Sequence, residues 1–296
     1  MWQPDPSHGL WDPPLSPAGH EQAEKTGKRL VELLEEKGVD MATTNVLIYT
    51  SPFQRCIDTS LGIARHLPNT ILRLELGLGE WMCERFFEND LAPASRLLAR
   101  QQETLARKQA EAFSSIAKNN NNINKSGNTA TKITLLPWVD YGYQALRTEF
   151  DFPEHYGDML QRFDETRLHC MATAATTTTT QPFSKNNKND NSNSNSGISN
   201  MVVLFITHAV GVNALLDGFR NQLTRPIETG YCSISRVTRV HPSKSTPFLT
   251  SPLTPPPPLP SPKEEKDSDD FHNAIIRNEW TVDLLASDIH IVDSND

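Results

Sequence analysis

An arginine and a histidine occupy positions in this sequence where an anion would be held. Arg55 comes shortly after the apolar run Val46–Tyr49, and His208 comes shortly after the apolar run Met201–Ile206. Each run is followed by a turn and then by a segment with helical spacing, which predicts buried parallel strands that open onto helices. Ligands bind at that edge of such sheets, helix N-termini attract anions, and a guanidinium fork fits phosphate oxygens. These residues therefore predict a phosphate-binding site.

The elements that must position this site alternate between helix and strand. Ser16 can cap the first helix, Pro17 suits its first turn, and Gly38 ends it. This pattern is typical of a three-layer α/β/α fold with a mostly parallel sheet. The predicted helices cover about 17–37, 53–66, 92–117, 155–171 and 209–219, and the predicted strands cover 46–49, 70–74, 201–206, 231–240 and 280–285.

Three low-complexity segments interrupt this pattern. Residues 118–131 are rich in Asn, Ser and Thr, residues 171–200 join a Thr run to Asn and Ser, and residues 242–270 are rich in Pro and Ser and then acidic. Such segments bury too little apolar surface to offset the entropy of ordering them, so we expect disordered insertions. The remainder, about 220 residues, fits a single domain within 1–296.

Charge and cysteine content exclude several functions. The net charge is −8 and no dense basic stripe occurs, so direct nucleic-acid binding has little support. The four cysteines are scattered, which predicts no zinc site and favours a reducing compartment. The sequence shows neither signal-peptide character nor an apolar run of membrane-spanning length. We therefore expect a soluble cytoplasmic or nuclear protein without a membrane partner.

Four segments together resemble motifs of the histidine phosphatase superfamily, which is phosphoglycerate-mutase-like. They occur in the family's order and span nearly the whole of the predicted ordered chain. Asp12–Gly19 resembles D-x-x-L-T-x-x-G, Ser51–Thr59 resembles S-P-x-x-R-x-x-x-T, Leu78–Trp81 resembles the segment with the acidic proton donor, and Phe205–Ala209 resembles the second histidine motif.

The resemblance implies a role for three residues. Arg55 would hold the phosphate, and His208 would hydrogen-bond its oxygens and stabilise the charge that develops during transfer. Glu80 would protonate the leaving oxygen and later activate water. The implied ligand is a phosphomonoester or a phosphorylated protein segment, and we expect no cofactor and no metal.

The family's nucleophile is a second histidine in an Arg-His-Gly or Arg-His-Ala motif, and that motif is missing upstream of Asp12. His8 follows Ser7 there, and Pro4 and Pro6 exclude a central strand before it. We therefore expect that the first central strand of the sheet is missing and that hydrolysis is impaired. An incomplete gene model or a shortened isoform accounts for this better than an evolved pseudoenzyme, although the sequence leaves the choice open.

A second hypothesis is a non-catalytic interaction subunit with the same fold. Trp2–Pro6 and Thr229–Ser235 resemble a eukaryotic branch of the superfamily that includes a subunit of the general initiation factor for RNA polymerase III. Disordered insertions would then provide contacts for protein partners.

Simpler interpretations remain for the site residues. Arg55 could form a surface ion pair, Glu80 could be a solvated loop acid, and His208 could be a histidine satisfied at a strand end. Two other enzyme classes are excluded by spacing. A cysteine-dependent phosphatase needs arginine six positions after its cysteine, and a dinucleotide-binding domain needs G-x-G-x-x-G after a strand, and neither pattern occurs.

Overall fold

A computed structural model describes residues 12–85, 87, 94–123, 137–177, 201–239 and 280–291. The helices are α1 (Pro17–Glu35), α2 (Gln54–Ala64), α3 (Ala94–Ile123), α4 (Tyr156–Ala175) and α5 (Ala209–Arg220), with a 3-10 turn at Leu76–Leu78. The strands are β1 (Asn45–Thr50), β2 (Thr70–Leu74), β3 (Trp138–Val139), β4 (Met201–Ile206), β5 (Ile234–Arg239) and β6 (Trp280–Ser287).

Four strands form a parallel sheet in the order β3-β2-β1-β4. The last residue of β1, Thr50, lies beside Leu74 of β2 and Ile206 of β4. The loops that leave these three strands therefore start at the same edge of the sheet. β5 and β6 form a separate antiparallel ribbon. The predicted mostly parallel sheet is confirmed.

Alternate residues of β1 contribute to two hydrophobic cores. Val46 and Ile48 pack with residues of α1, α2 and α3. Leu47 and Tyr49 pack on the other face with residues of α4 and α5, among them Phe163. A strand that is apolar on both faces is stable only between two helical layers. The fold is therefore the predicted three-layer α/β/α arrangement.

The boundaries of α1 follow from its terminal residues. Ser16 Oγ accepts a hydrogen bond from the backbone N–H of Gly19 at 3.1 Å, and Pro17 occupies the first turn. The helix ends at Glu35, two residues earlier than predicted, and Gly38 has a φ of 72°. Glycine tolerates this left-handed conformation without steric cost, so it permits the chain to turn towards β1.

Two helices extend into segments that the sequence predicted as disordered. α3 continues to Ile123 and so includes residues 118–123, and α4 continues to Ala175 and so includes residues 171–175. A helix that has already formed adds further residues at small cost, even where their propensity is weak. Residues 124–131, 178–200 and 242–270 lie outside the described part of the chain.

Among the described strands, only β1 pairs with β4, which is six residues long and wholly apolar. Residues 1–11, which include His8, lie outside the description, so the expected loss of a central strand stays a prediction. None of the described helices is long and apolar enough to cross a membrane.

Candidate phosphate-binding site

The three predicted site residues come together at the carboxyl edge of the sheet. Arg55 lies in the first turn of α2, and His208 is the N-cap residue of α5. Glu80 follows the 3-10 turn that leaves β2. A terminal nitrogen of Arg55 lies 3.0 Å from His208 Nδ1 and 3.4 Å from Glu80 Oε2, and that carboxyl oxygen lies 3.2 Å from the same imidazole nitrogen.

These side chains differ in their access to solvent. The Arg55 and Glu80 side chains are 27% and 21% exposed, whereas that of His208 is 3% exposed. The arginine and the carboxyl group therefore form the accessible part of the site, and the imidazole lies behind them. A ligand that enters would meet the guanidinium and the carboxyl group first.

His208 is held in its neutral form. Burial is the main cause that lowers its pKa well below the ordinary value, and the positive charges of Arg55 and Arg162 add to it. A guanidinium can only donate, so its contact requires Nδ1 of His208 to be the acceptor. The proton then lies on Nε2, which donates to Ser51 Oγ at 3.0 Å.

The environment of Glu80 makes its carboxyl group a weaker acid than an ordinary glutamate. Burial raises the pKa of Glu80, although hydrogen bonds from the Trp81 backbone N–H and from Arg55 oppose the shift. A carboxyl group that keeps its proton nearer to neutral pH suits a proton donor.

Aromatic and thiol groups enclose the imidazole. The buried ring of Phe53 meets the His208 ring edge-on at 5.1 Å, and the Arg55 guanidinium lies 4.8 Å from the centre of the Phe53 ring. Cys56 Sγ is 3.7 Å from His208 Nε2, but burial raises the pKa of this thiol to about 12. It therefore stays protonated, which argues against a thiolate nucleophile here.

The sequence did not assign a role to Asp12, which supports the start of α2. This buried carboxylate accepts a hydrogen bond from the backbone N–H of Gln54 at 2.6 Å and forms an ion pair with Arg100 of α3. It thus satisfies an N–H group in the first turn of the helix that carries Arg55. The sequence feature that could have indicated this role is the position of Asp12 at the start of the motif-like segment Asp12–Gly19.

A buried ion pair behind Glu80 was also missed. Arg162 of α4 donates to both carboxylate oxygens of Glu154, from Nε at 2.6 Å and from a terminal nitrogen at 2.9 Å. Neither residue belongs to a recognisable motif, and their spacing does not indicate pairing. No group of three or more potential metal-ligating side chains occurs in the described ranges.

A guanidinium, a neutral imidazole and a carboxyl group thus converge at the carboxyl edge of a parallel sheet, which is where α/β domains commonly bind anions. Residues 5–119 match the family model described as histidine phosphatase superfamily (branch 1). The chain is therefore similar to this superfamily over a segment that contains Arg55 and Glu80 but not His208.

No curated protein matches this sequence. Among solved structures, the chain is similar to the ecdysone phosphate phosphatase EPPase from Bombix mori in complex with tungstate. The identity is 17%, the match covers 87% of this chain and 78% of that chain, and the TM-score is 0.39.

Proposed function

We propose that this protein binds a phosphomonoester, or a phosphorylated protein segment, at the site formed by Arg55, Glu80 and His208. The observation that carries the proposal is their convergence, with Arg55 within 3.4 Å of both other residues. Arg55 can exchange its contacts with Glu80 and His208 for two phosphate oxygens, because its guanidinium presents five N–H donors. The anion then takes the place of the Glu80 carboxyl group and the His208 imidazole as the partner of Arg55.

Hydrolysis at this site is expected to be slow. The sequence contains no Arg-His-Gly or Arg-His-Ala motif, so no covalent phosphoryl acceptor of the family's type is identified. Without it, water must attack phosphorus directly while the bond to the ester oxygen breaks. Glu80 would then give its proton to the leaving oxygen and regain one from the attacking water, and Arg55 would stabilise the charge on the phosphoryl oxygens.

Calorimetric titration with inorganic phosphate tests the binding proposal. We expect saturable binding by the wild-type protein and a loss of at least about 100-fold in affinity in Arg55→Met, because the paired charge-assisted hydrogen bonds are removed. Arg65→Met is the matched control. Arg65 follows the last residue of α2 and forms an ion pair with Glu24. Equal losses in the two variants, or no binding by the wild type, would overturn the proposal.

Turnover of p-nitrophenyl phosphate tests the expectation of impaired catalysis. We expect hydrolysis several decades slower than is typical of nucleophile-dependent enzymes. The residual rate should fall further in Glu80→Gln, which lacks the proton donor. Rapid turnover that requires Arg55 would refute the impairment but leave the binding site intact.

Exposed apolar residues near the ribbon support an interaction subunit as a second candidate function. Tyr231 is 87% exposed and Ile289 is 76% exposed. They flank Gly230 and Asp288, which lie so close together that a Cβ at Gly230 would approach Asp288 Oδ2 to 2.8 Å. Neighbouring exposed apolar groups are typical of protein-binding surfaces.

Affinity purification from a eukaryotic extract tests this second candidate. A partner protein should be recovered near stoichiometrically with the wild type and with Arg55→Met, but not with Tyr231→Ser/Ile289→Ser. A partner retained equally by all three forms would contradict this surface as the binding site, and an empty purification would contradict the candidate itself.

We also propose that the protein acts in the cytoplasm or nucleus. Four free cysteines support this location, because unpaired thiols persist in reducing compartments. Imaging of a fluorescent fusion tests it, and secretion of the fusion would contradict it.

A further inference from the structure

The segment 77–80, which includes Glu80, is held by hydrogen bonds from one side chain of α4, that of Arg162. Arg162 donates to the carbonyl oxygens of Gly77 at 2.6 Å, of Gly79 at 3.1 Å and of Glu80 at 3.2 Å. With its two bonds to Glu154, these contacts use all five N–H groups of the guanidinium. Three carbonyl oxygens of one short segment therefore converge on one rigid group.

Glu154 fixes Arg162 from the other side and joins it to the residues after Glu80. Its carboxylate accepts from the Met82 backbone N–H at 3.1 Å, and its carbonyl oxygen accepts from Trp81 Nε1 at 2.9 Å. The Arg162 and Glu154 side chains are only 4% and 2% exposed. The ion pair thus holds the chain on both sides of Glu80.

The glycines in this segment permit the close approach to α4. A Cβ at Gly77 would collide with Thr166 of α4, and a Cβ at Gly79 would come within 2.9 Å of Phe150. On the site side, Glu80 Oε1 accepts from the Trp81 backbone N–H at 3.0 Å, which leaves Oε2 directed at Arg55 and His208.

We infer that Arg162 is a positioning residue for Glu80, held by Glu154 so that the Glu80 main chain directs its carboxyl group at Arg55 and His208. The inference deepens the proposed function and rests on it, because Glu80 matters to a ligand only if an anion binds here. The charge of Arg162 also contributes to the depressed pKa of His208 and opposes the raised pKa of Glu80, so the pair affects both partners of Arg55.

Arg162→Lys tests this role, because it keeps the charge but loses the planar fork. Arg167→Lys is the matched control. Arg167 is also on α4 and also buried, but it pairs with Asp164 and stacks on Phe219. The readout is the titration of the Glu80 carboxyl carbon by ¹³C NMR without ligand, assigned by its loss in Glu80→Gln.

In Arg162→Lys, the loosened segment lets the Glu80 carboxyl group reach solvent, so its titration should move towards lower pH by about half a unit or more. In Arg167→Lys, the titration should be unchanged even if thermal stability falls equally. Equal shifts in both variants, or no shift in Arg162→Lys, would overturn the inference.

If Arg162→Lys does not fold, Glu154→Gln retains Arg162 and should give a shift in the same direction. The absence of any shift there would overturn the inference as well.

Sulfate affinity measured against pH provides a second readout, because the charge of sulfate is constant over this range. A Glu80 that ionises more readily repels sulfate, so Arg162→Lys should bind it several-fold more weakly in the pH range where the Glu80 carboxyl group of the wild type titrates. Adding Glu80→Gln should abolish this difference. Additive effects of the two changes would contradict positioning. If the wild type binds neither sulfate nor phosphate, the proposed function fails, but the carboxyl titration still decides the role of Arg162.

Discussion

Arg162 and Arg55 both lie beside Glu80, but they differ in burial and in the partners of their guanidinium groups. This difference distinguishes a structural arginine from one in the candidate site. Arg162 is buried, and its five N–H groups have acceptors at 2.6–3.2 Å, among them an adjacent carboxylate. The Arg55 side chain is 27% exposed and contacts an imidazole whose pKa is lowered and a carboxyl group whose pKa is raised. An arginine whose five N–H groups all have acceptors in the interior supports the chain, whereas a partly exposed arginine beside a neutral imidazole can accept an anion.

The largest effect that would sharpen this comparison is on stability. Arg162→Met leaves Glu154 buried without its partner and should lower the free energy of unfolding by about 3–5 kcal/mol in urea titrations. Glu154→Met/Arg162→Met should recover much of this loss, because no unpaired charge remains. Arg55→Met should change the same quantity by no more than about 1 kcal/mol. Similar losses of unfolding free energy in Arg162→Met and Arg55→Met would contradict the distinction between the two arginines.

A second test uses the pH dependence of stability. Because the folded protein depresses the pKa of His208, the unfolded chain binds more protons below about pH 6.5, and stability falls as the pH decreases through that range. The wild-type protein should therefore lose unfolding free energy between pH 7.5 and pH 5.0. In His208→Asn this loss should be smaller by up to about 2 kcal/mol. His169→Asn serves as the control and should retain the wild-type difference. An unchanged difference in His208→Asn would show that this imidazole is not held neutral.

A third test concerns the carboxyl group that competes with the ligand. Glu80→Gln removes a negative charge beside Arg55 and should strengthen binding of inorganic phosphate roughly ten-fold at pH 8. The gain should shrink as the pH falls, because the raised pKa lets Glu80 take up a proton at a higher pH than an ordinary carboxyl group. Calorimetric titration provides the measurement, and Glu24→Gln on α1 should have no effect. Unchanged binding by Glu80→Gln at pH 8 would place Glu80 outside the site, and weaker binding would contradict the competition.

The smallest expected effect concerns the tautomer of His208. Ser51→Ala removes the acceptor of the Nε2 proton and should cost about 1 kcal/mol in unfolding free energy. It should also change the ¹⁵N shifts of the imidazole. Ser60→Ala is the matched control, since Ser60 is equally buried but donates to the Cys56 carbonyl within α2. Unchanged imidazole shifts in Ser51→Ala would contradict the assigned tautomer.

Much of the fold could be predicted because its strongest patterns are local. β2 and β4 have the predicted boundaries, and β1 is longer by only one residue at each end. The apolar runs and the adjacent turn residues contain this information directly. The convergence of Arg55 and His208 follows from it, since parallel strands bring their carboxyl ends to one edge.

The remaining features depend on contacts between distant segments. β3 has two residues and no periodicity that a sequence could reveal. The Arg162–Glu154 pair arises where α4 meets the loop after β2, and neither segment alone indicates it. The ribbon begins at Ile234 rather than Tyr231, and its register shifts between Ile234 and Val237. Such irregularities reflect packing and not local propensity.

The pairing of β1 with β4 governs when the site forms during folding. Arg55 and His208 are separated by 153 residues, whereas β2 follows β1 after a single helix. The entropic cost of closing so long a loop places this contact among the slow, non-local steps. A nascent chain can therefore build the first strands and their helices while the pocket is still incomplete. The proposed anion binding thus requires a chain that has folded through β4, and a degradation intermediate that lacks β4 would not show it.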